Sequence, residues 1–156
     1  MIVTIHQPDF LPWYGFFNKL SKADKFIVLD NTLNNPKDGF WCRRVKLISN
    51  GVDQWYTVPL ERDKERTFVP INEMIVKVGE RSFEKKQLRS LEQSYTKCPY
   101  FKDYFYLLEN WYNHKSESLV VRNMDFIKSV NELLDIKCEM VYASELKVGG
   151  SSTEML

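Results

Sequence analysis

Two stretches of this sequence bring together side chains that could do chemistry. The first is His6-Gln7-Pro8-Asp9, where an imidazole, an amide and a carboxylate stand close together. An imidazole moves protons near neutral pH, a carboxylate can orient it, and an amide can hold a ligand oxygen. The second is Lys37, Trp41, Arg43, Arg44 and Lys46, cations interleaved with an indole. Guanidinium forks suit phosphate or carboxylate, and an indole beside them can stack on a base or a sugar. Each stretch also has a plainer reading. His6 can satisfy a strand end by pairing with Asp9 or Asp30, and the basic segment can be a solubilising ribbon with Trp41 packed on a sheet.

The elements that must position these residues read as α/β. Ile2 to Ile5 is a β-branched apolar run that stops at His6, as expected of a buried parallel strand. Pro8 and Pro12 bracket a loop, and Trp13, Phe16, Phe17 and Leu20 then recur at helical spacing up to Lys22. Phe26 to Leu29 is a second strand, ending at Asp30-Asn31, which completes a right-handed βαβ unit. Ligands of open α/β sheets bind beyond the carboxyl ends of the strands, so Asp30 is expected to share a crevice with His6.

Beyond it, Phe40 to Ile48 and Gln54 to Leu60 are β-prone runs around Ser49-Asn50-Gly51, a hairpin turn signal, within a β-ribbon insertion over 31–78. Strand alternation places Trp41, Arg43 and Val45 on one face and Arg44 and Lys46 on the other. Val69 to Val78 reads as one more strand, held to an edge by Pro70. A helical segment over 82–134 follows. Ser82 caps a helix carrying Phe83, Leu88, Leu91 and Tyr95, Pro99 ends it, and two further apolar patterns run from Phe101 to Tyr112 and from Leu119 to Leu133. Cys138 to Ala143 is a last strand. The expected architecture is one α/β domain over 1–156, a βαβ opening with a mainly parallel sheet, an inserted antiparallel ribbon and the helical segment.

Composition narrows the function classes. Across 156 residues, 22 basic and 21 acidic side chains give a formal charge of +1, which argues against nucleic acid as a partner. The aromatic run between Tyr95 and Tyr112 has the spacing of core packing and few cations, so it is read as core and not as a stacking platform. His114 sits in a polar turn and is read as structural. Three separated cysteines offer neither a disulfide framework nor zinc spacing, so no metal site is expected and a reducing cytoplasm is the simple location. No apolar run approaches a membrane span, and the N-terminus lacks the pattern of a signal peptide. Gly149 to Thr153 could form a phosphate-binding turn before a helix, but a plain helix cap on Ser152 and Glu154 is the simpler reading.

The segment from His6-Gln7-Pro8-Asp9-Phe10-Leu11-Pro12-Trp13 to Asp30-Asn31 resembles the opening of the WbqC-like family. The similarity continues through Trp41 and Arg43 to Lys46, Trp55-Tyr56-Thr57-Val58-Pro59, Tyr95 to Phe101, and Ala143-Ser144-Glu145-Leu146. Members of that family are longer, so the resemblance also implies that this chain is either a short relative or the family's N-terminal part. It implies an enzyme of surface polysaccharide (O-antigen) biosynthesis, transferring an acyl, aminoacyl or glycyl group to a nucleotide-activated or glycan-linked sugar. His6, Gln7, Asp9 and Asp30 are then the expected catalytic residues. Trp13, Lys37, Trp41, Arg43 and Arg44 would bind the small-molecule substrate, a nucleotide or nucleotide-sugar. The alternative is a noncatalytic module that binds a nucleotide-sugar or phosphate.

Overall fold

Apolar residues at strand and helix periodicity sort the chain into five strands and four helices among the described residues. The structure, a computed structural model, describes residues 1–33, 41–49, 51–63, 65–66, 68–78 and 83–146. In order these are β1 (Val3–His6), α1 (Tyr14–Leu20), β2 (Lys25–Val28), β3 (Arg44–Ser49), β4 (Val52–Thr57), α2 (Phe83–Tyr95), α3 (Phe101–Tyr112), α4 (Leu119–Leu133) and β5 (Glu139–Tyr142). The architecture is α/β, as the sequence predicts.

β1, β2 and β5 form a parallel sheet in the order β1-β2-β5. His6 pairs with Val28, and Val28 with Tyr142, so the three strands end level. Phe26 and Val28 of the central strand are fully buried, and α1 packs Phe16, Phe17 and Leu20 into the same core, with Phe16 edge-on to Phe26 at 5.7 Å. β1 departs from the expected buried strand. It lies at the sheet edge, and Val3 remains exposed.

β3 and β4 form a separate antiparallel ribbon, registered from Arg44 opposite Thr57 to Ser49 opposite Val52. Gly51 takes φ +80°, the left-handed conformation that a tight turn asks of glycine. Tyr56 and Val45 face inward, and the Tyr56 hydroxyl meets Ser90 Oγ on α2 at 2.9 Å while Ser49 Oγ meets Ser94 Oγ at 2.9 Å. Two expectations need correction here. Residues 41–43 are turn, not strand, so alternation does not reach Trp41, which lies against Trp55 on the Arg44 and Lys46 face. The expected strand over Val69–Val78 is a single 3-10 turn at Ile71–Glu73 flanked by isolated bridges. The reason is competition: the Ile71 and Asn72 amides donate to the Thr32 and Asp30 carbonyls beyond β2, which draws the segment out of any ladder. Asn50, the expected Ser82 cap and the Gly149–Thr153 segment lie outside the described residues.

The helices hold the ribbon against the loop that follows β1. Asn123 of α4 is completely buried; its Nδ2 donates to the Pro8 carbonyl (2.8 Å) and the Cys42 carbonyl (2.7 Å). Its Oδ1 accepts from Trp111 Nε1 at 3.0 Å. One side chain thus joins the His6 loop, the start of the ribbon, α3 and α4. Phe10 packs on Trp111 at 4.6 Å beside this junction, and the buried Arg122–Glu84 pair (3.3 Å) links α4 to α2. Replacing Asn123 with Ala strands two carbonyls and an indole N–H away from water. Urea denaturation of Asn123→Ala is therefore expected to show a loss of about 3–5 kcal/mol.

Candidate functional site

The residues after β1 build one wall of a cleft of about 390 Å³ and the start of the ribbon builds the other. Its lining is His6, Asp9, Phe10, Leu11, Pro12 and Trp13 on the loop side, and Trp41, Val45 and Lys46 on the ribbon side. The Phe10 amide donates to the Trp41 carbonyl at 2.9 Å, which stitches the walls together at the base. Leu11, before Pro12, is held at φ +45°, a left-handed conformation that costs energy for a residue with a Cβ; its burial in the core fixes it there. The strain turns the loop back sharply enough for Trp13 to reach the cleft.

Trp13 rests on Gly15. A Cβ at Gly15 would overlap the Trp13 indole ring, so the glycine serves as the seat of that wall. On the other side Trp41 lies 6.0 Å from Trp55, whose ring carries the Arg44 guanidinium at 4.5 Å. This stack fixes the Trp41 indole from behind. Lys46 is paired with Asp53 at 2.5 Å.

His6 has a defined orientation in this geometry. Its Nδ1 lies 3.0 Å from the Gln7 carbonyl, which can only accept, so Nδ1 carries the proton and Nε2 the lone pair of the neutral ring. Phe16 meets the ring edge-on at 5.3 Å. Nε2 has no hydrogen-bond partner among the described residues. Asp9 Oδ2 stands 3.6 Å from His6 Nδ1, placed to stabilise an imidazolium formed by proton uptake at Nε2. Asp9 itself is buried, and burial pushes its carboxyl up to about 6 against the pull of His6 and Lys19. Lys19, whose Nζ approaches the Ile5 carbonyl at 3.4 Å, is lowered by its own burial.

The remaining expected site residues are placed differently. Gln7 Nε2 donates to Thr32 Oγ1 at 3.1 Å and does not line the cleft. Asp30 is committed to Ser144, accepting from its amide at 3.0 Å and its hydroxyl at 2.6 Å, so Asp9 and not Asp30 stands beside His6. The reason is the 3-10 turn Ala143–Glu145 that directly follows β5 and needs an acceptor for its first amides. Arg43 is half-buried, and burial lowers its pKa; neither it nor Arg44 lines the cleft. Lys37 lies outside the described residues. Sequence reasoning missed the walls formed by Phe10, Leu11, Pro12 and Val45, and it assigned no role to Asn123. The signal for the walls is the Pro-bracketed apolar loop; a lone Asn in a helix gives none.

Other candidates for chemistry are occupied. A second depression of about 360 Å³ between α3 and α4 contains His114, Asp125 and Arg122. There His114 Nε2 contacts Asp125 at 3.0 Å and Nδ1 accepts from the Ser116 amide, so both ring nitrogens are engaged. Cys42 beneath the cleft is pushed up to about 12 by burial and by Asp9, which keeps it a thiol. Among the described residues no cluster of His, Cys, Asp and Glu could hold a metal, and no helix is long and apolar enough to cross a membrane.

Two predictions follow from this geometry. Because the folded pKa of Asp9 lies above its ordinary value of 3.8, its neutral form favours folding; that contribution is whole below about pH 4 and is lost as pH rises through about 6. Asp9→Asn cannot ionise. Its stability in denaturant is expected to exceed the wild type by about 3 kcal/mol near pH 8 and to converge with it below about pH 4. Gly15→Ala is expected to unseat the Trp13 indole, read as a shift in tryptophan fluorescence with the fold retained by circular dichroism.

The chain is 24% identical over 155 residues to an uncharacterized protein of Mycobacterium tuberculosis, Rv1507c, across 99% of this chain and 65% of that protein. It therefore spans just under two thirds of that relative's length. No solved structure matches. The model of the WbqC-like protein family matches residues 7–156, from within the His6 loop to the last residue of the sequence, and the chain belongs to that family.

Proposed function

We propose that the cleft is the reaction site of a transferase that moves an acyl or aminoacyl group, glycyl among them, onto a nucleotide-activated or glycan-linked sugar in surface polysaccharide (O-antigen) biosynthesis. The observation that carries this reading is His6. Its Nδ1 proton is fixed by the Gln7 carbonyl, its Nε2 lone pair has no partner among the described residues, and a buried carboxylate stands behind it. That is the arrangement of a general base.

In this reading a sugar hydroxyl or amine gives its proton to His6 Nε2 as its oxygen or nitrogen forms a bond to the acyl carbon. The imidazolium, steadied by Asp9, returns the proton to the departing group as the bond to the donor breaks. Trp13 and Trp41 supply apolar faces for the sugar ring, and Lys46 supplies positive charge for phosphates. The substrate is a small molecule, nucleic acid is not a partner, and the activated sugar places the reaction in the cytoplasm.

His6→Ala is expected to abolish transfer while leaving the melting temperature within about 2 °C of wild type, since the ring is partly exposed. A thermal-shift screen with nucleotides and nucleotide-sugars gives the companion measurement, because a ligand bound to the folded chain raises the melting temperature by mass action. Full transfer by His6→Ala ends the general-base reading. Saturable binding with no transfer in the wild type favours the noncatalytic module instead.

A further inference from the structure

The Asp9 carboxylate is an anomaly that the general-base role does not explain. It is 6% exposed, yet neither oxygen makes a hydrogen bond among the described residues. Oδ1 has no donor, and the nearest donor to Oδ2, His6 Nδ1, stands at 3.6 Å and is already bonded to the Gln7 carbonyl. Buried carboxylates ordinarily accept several hydrogen bonds, because an unmet charge in a low-dielectric setting is costly. A pairing that only steadied His6 would need one oxygen; the second would still be stranded. Asp9 lines the cleft on the loop wall that also bears Trp13, across from the wall bearing Trp41. Electron-rich indole faces attract cations, and a carboxylate in the lining of such a slot completes a seat for an ammonium or amine group.

We infer that the ligand of this cleft carries a free amino group, and that Asp9 is its anchor. This rests on the reading of the His6 cleft as the substrate site, and narrows it: the sugar that enters is an amino sugar, held by N–H donors to Asp9 with its ring between the indoles. The same seat rejects the N-acylated form, which has lost its charge and two of its donors and carries an added carbonyl that would face a carboxylate. It therefore discriminates an amino sugar from its N-acylated counterpart. A hydroxyl in the same place supplies one donor and no charge, and leaves most of the anomaly in place.

The test is calorimetric binding of UDP-glucosamine, UDP-N-acetylglucosamine and UDP-glucose to the full chain near neutral pH, with Asp9→Asn and Asp9→Ala alongside. The amine form is expected to bind at least about tenfold more tightly than the other two, and both variants are expected to bind all three alike. Circular dichroism of the variants establishes that they are folded, and the wild-type preference stands as a test without them. Equal binding of the three by the wild type, or a preference that survives in Asp9→Asn, overturns the amine anchor while leaving the proposed transferase in place. Binding of none of them overturns the anchor together with the reading of this cleft as a sugar-nucleotide site. A wild type that prefers the amine but transfers nothing retains the anchor and removes the catalytic reading alone.

Discussion

One buried amide fixes the relation between the two walls of the cleft. Asn123 gives one N–H to the loop beyond β1 and the other to the turn that precedes β3, and receives the Trp111 indole proton in return. Every hydrogen-bonding group of that side chain that faces protein is used, in a site closed to water, where an unmatched carbonyl is expensive. The distance between the His6 loop and Trp41 is therefore set by a helix that contributes no described residue to the lining of the cleft. The Phe10–Trp111 packing and the Phe10–Trp41 backbone bond close the same joint with apolar contact and a second hydrogen bond.

Around that joint the site has a rigid floor and two aromatic sides. The floor is the end of β1, where His6 is aligned by the carbonyl of its neighbour and by the ring of Phe16. The sides are seated from behind, Trp13 on the bare Cα of Gly15 and Trp41 on Trp55 with Arg44 beyond it. Against this apolar order the Asp9 carboxyl is the outlier, desolvated and underbonded, and its burial opposes the ionised form. Structures tolerate such local cost where a ligand or a reaction repays it.

The sequence carried much of the framework in plain form. The β-branched runs, the helical spacing of Trp13 to Leu20 and the Asn50-Gly51 turn signal point to a βαβ unit and a hairpin, and both are present. The pairing of His6 with Asp9, Trp13 and Trp41 was legible because three of those residues are neighbours in the chain and the fourth stands out in a basic run. What periodicity could not show is where polar groups go in three dimensions. Asp30 has the same local setting as Asp9, at the end of a strand, and only the arrival of Ser144 from more than a hundred residues away decides its partner. Val69–Val78 has a strand's composition, but tertiary hydrogen bonds to the end of β2 outweigh that preference. Trp41 changed faces because alternation holds only where a ladder exists, and the ladder begins at Arg44.

Among the described residues the ribbon is hydrogen-bonded to neither edge of the parallel sheet; its own side chains reach α2 instead, through Tyr56 with Ser90 and Ser49 with Ser94. His6 and the ribbon wall of the cleft thus belong to different layers, joined by the Asn123 amide and the Phe10–Trp41 backbone bond. Such a division lets evolution vary one while preserving the other. In the proposed transferase, exchanging the ribbon's outward side chains alters which molecule is admitted and leaves the end of β1 untouched, so that taste and chemistry can diverge.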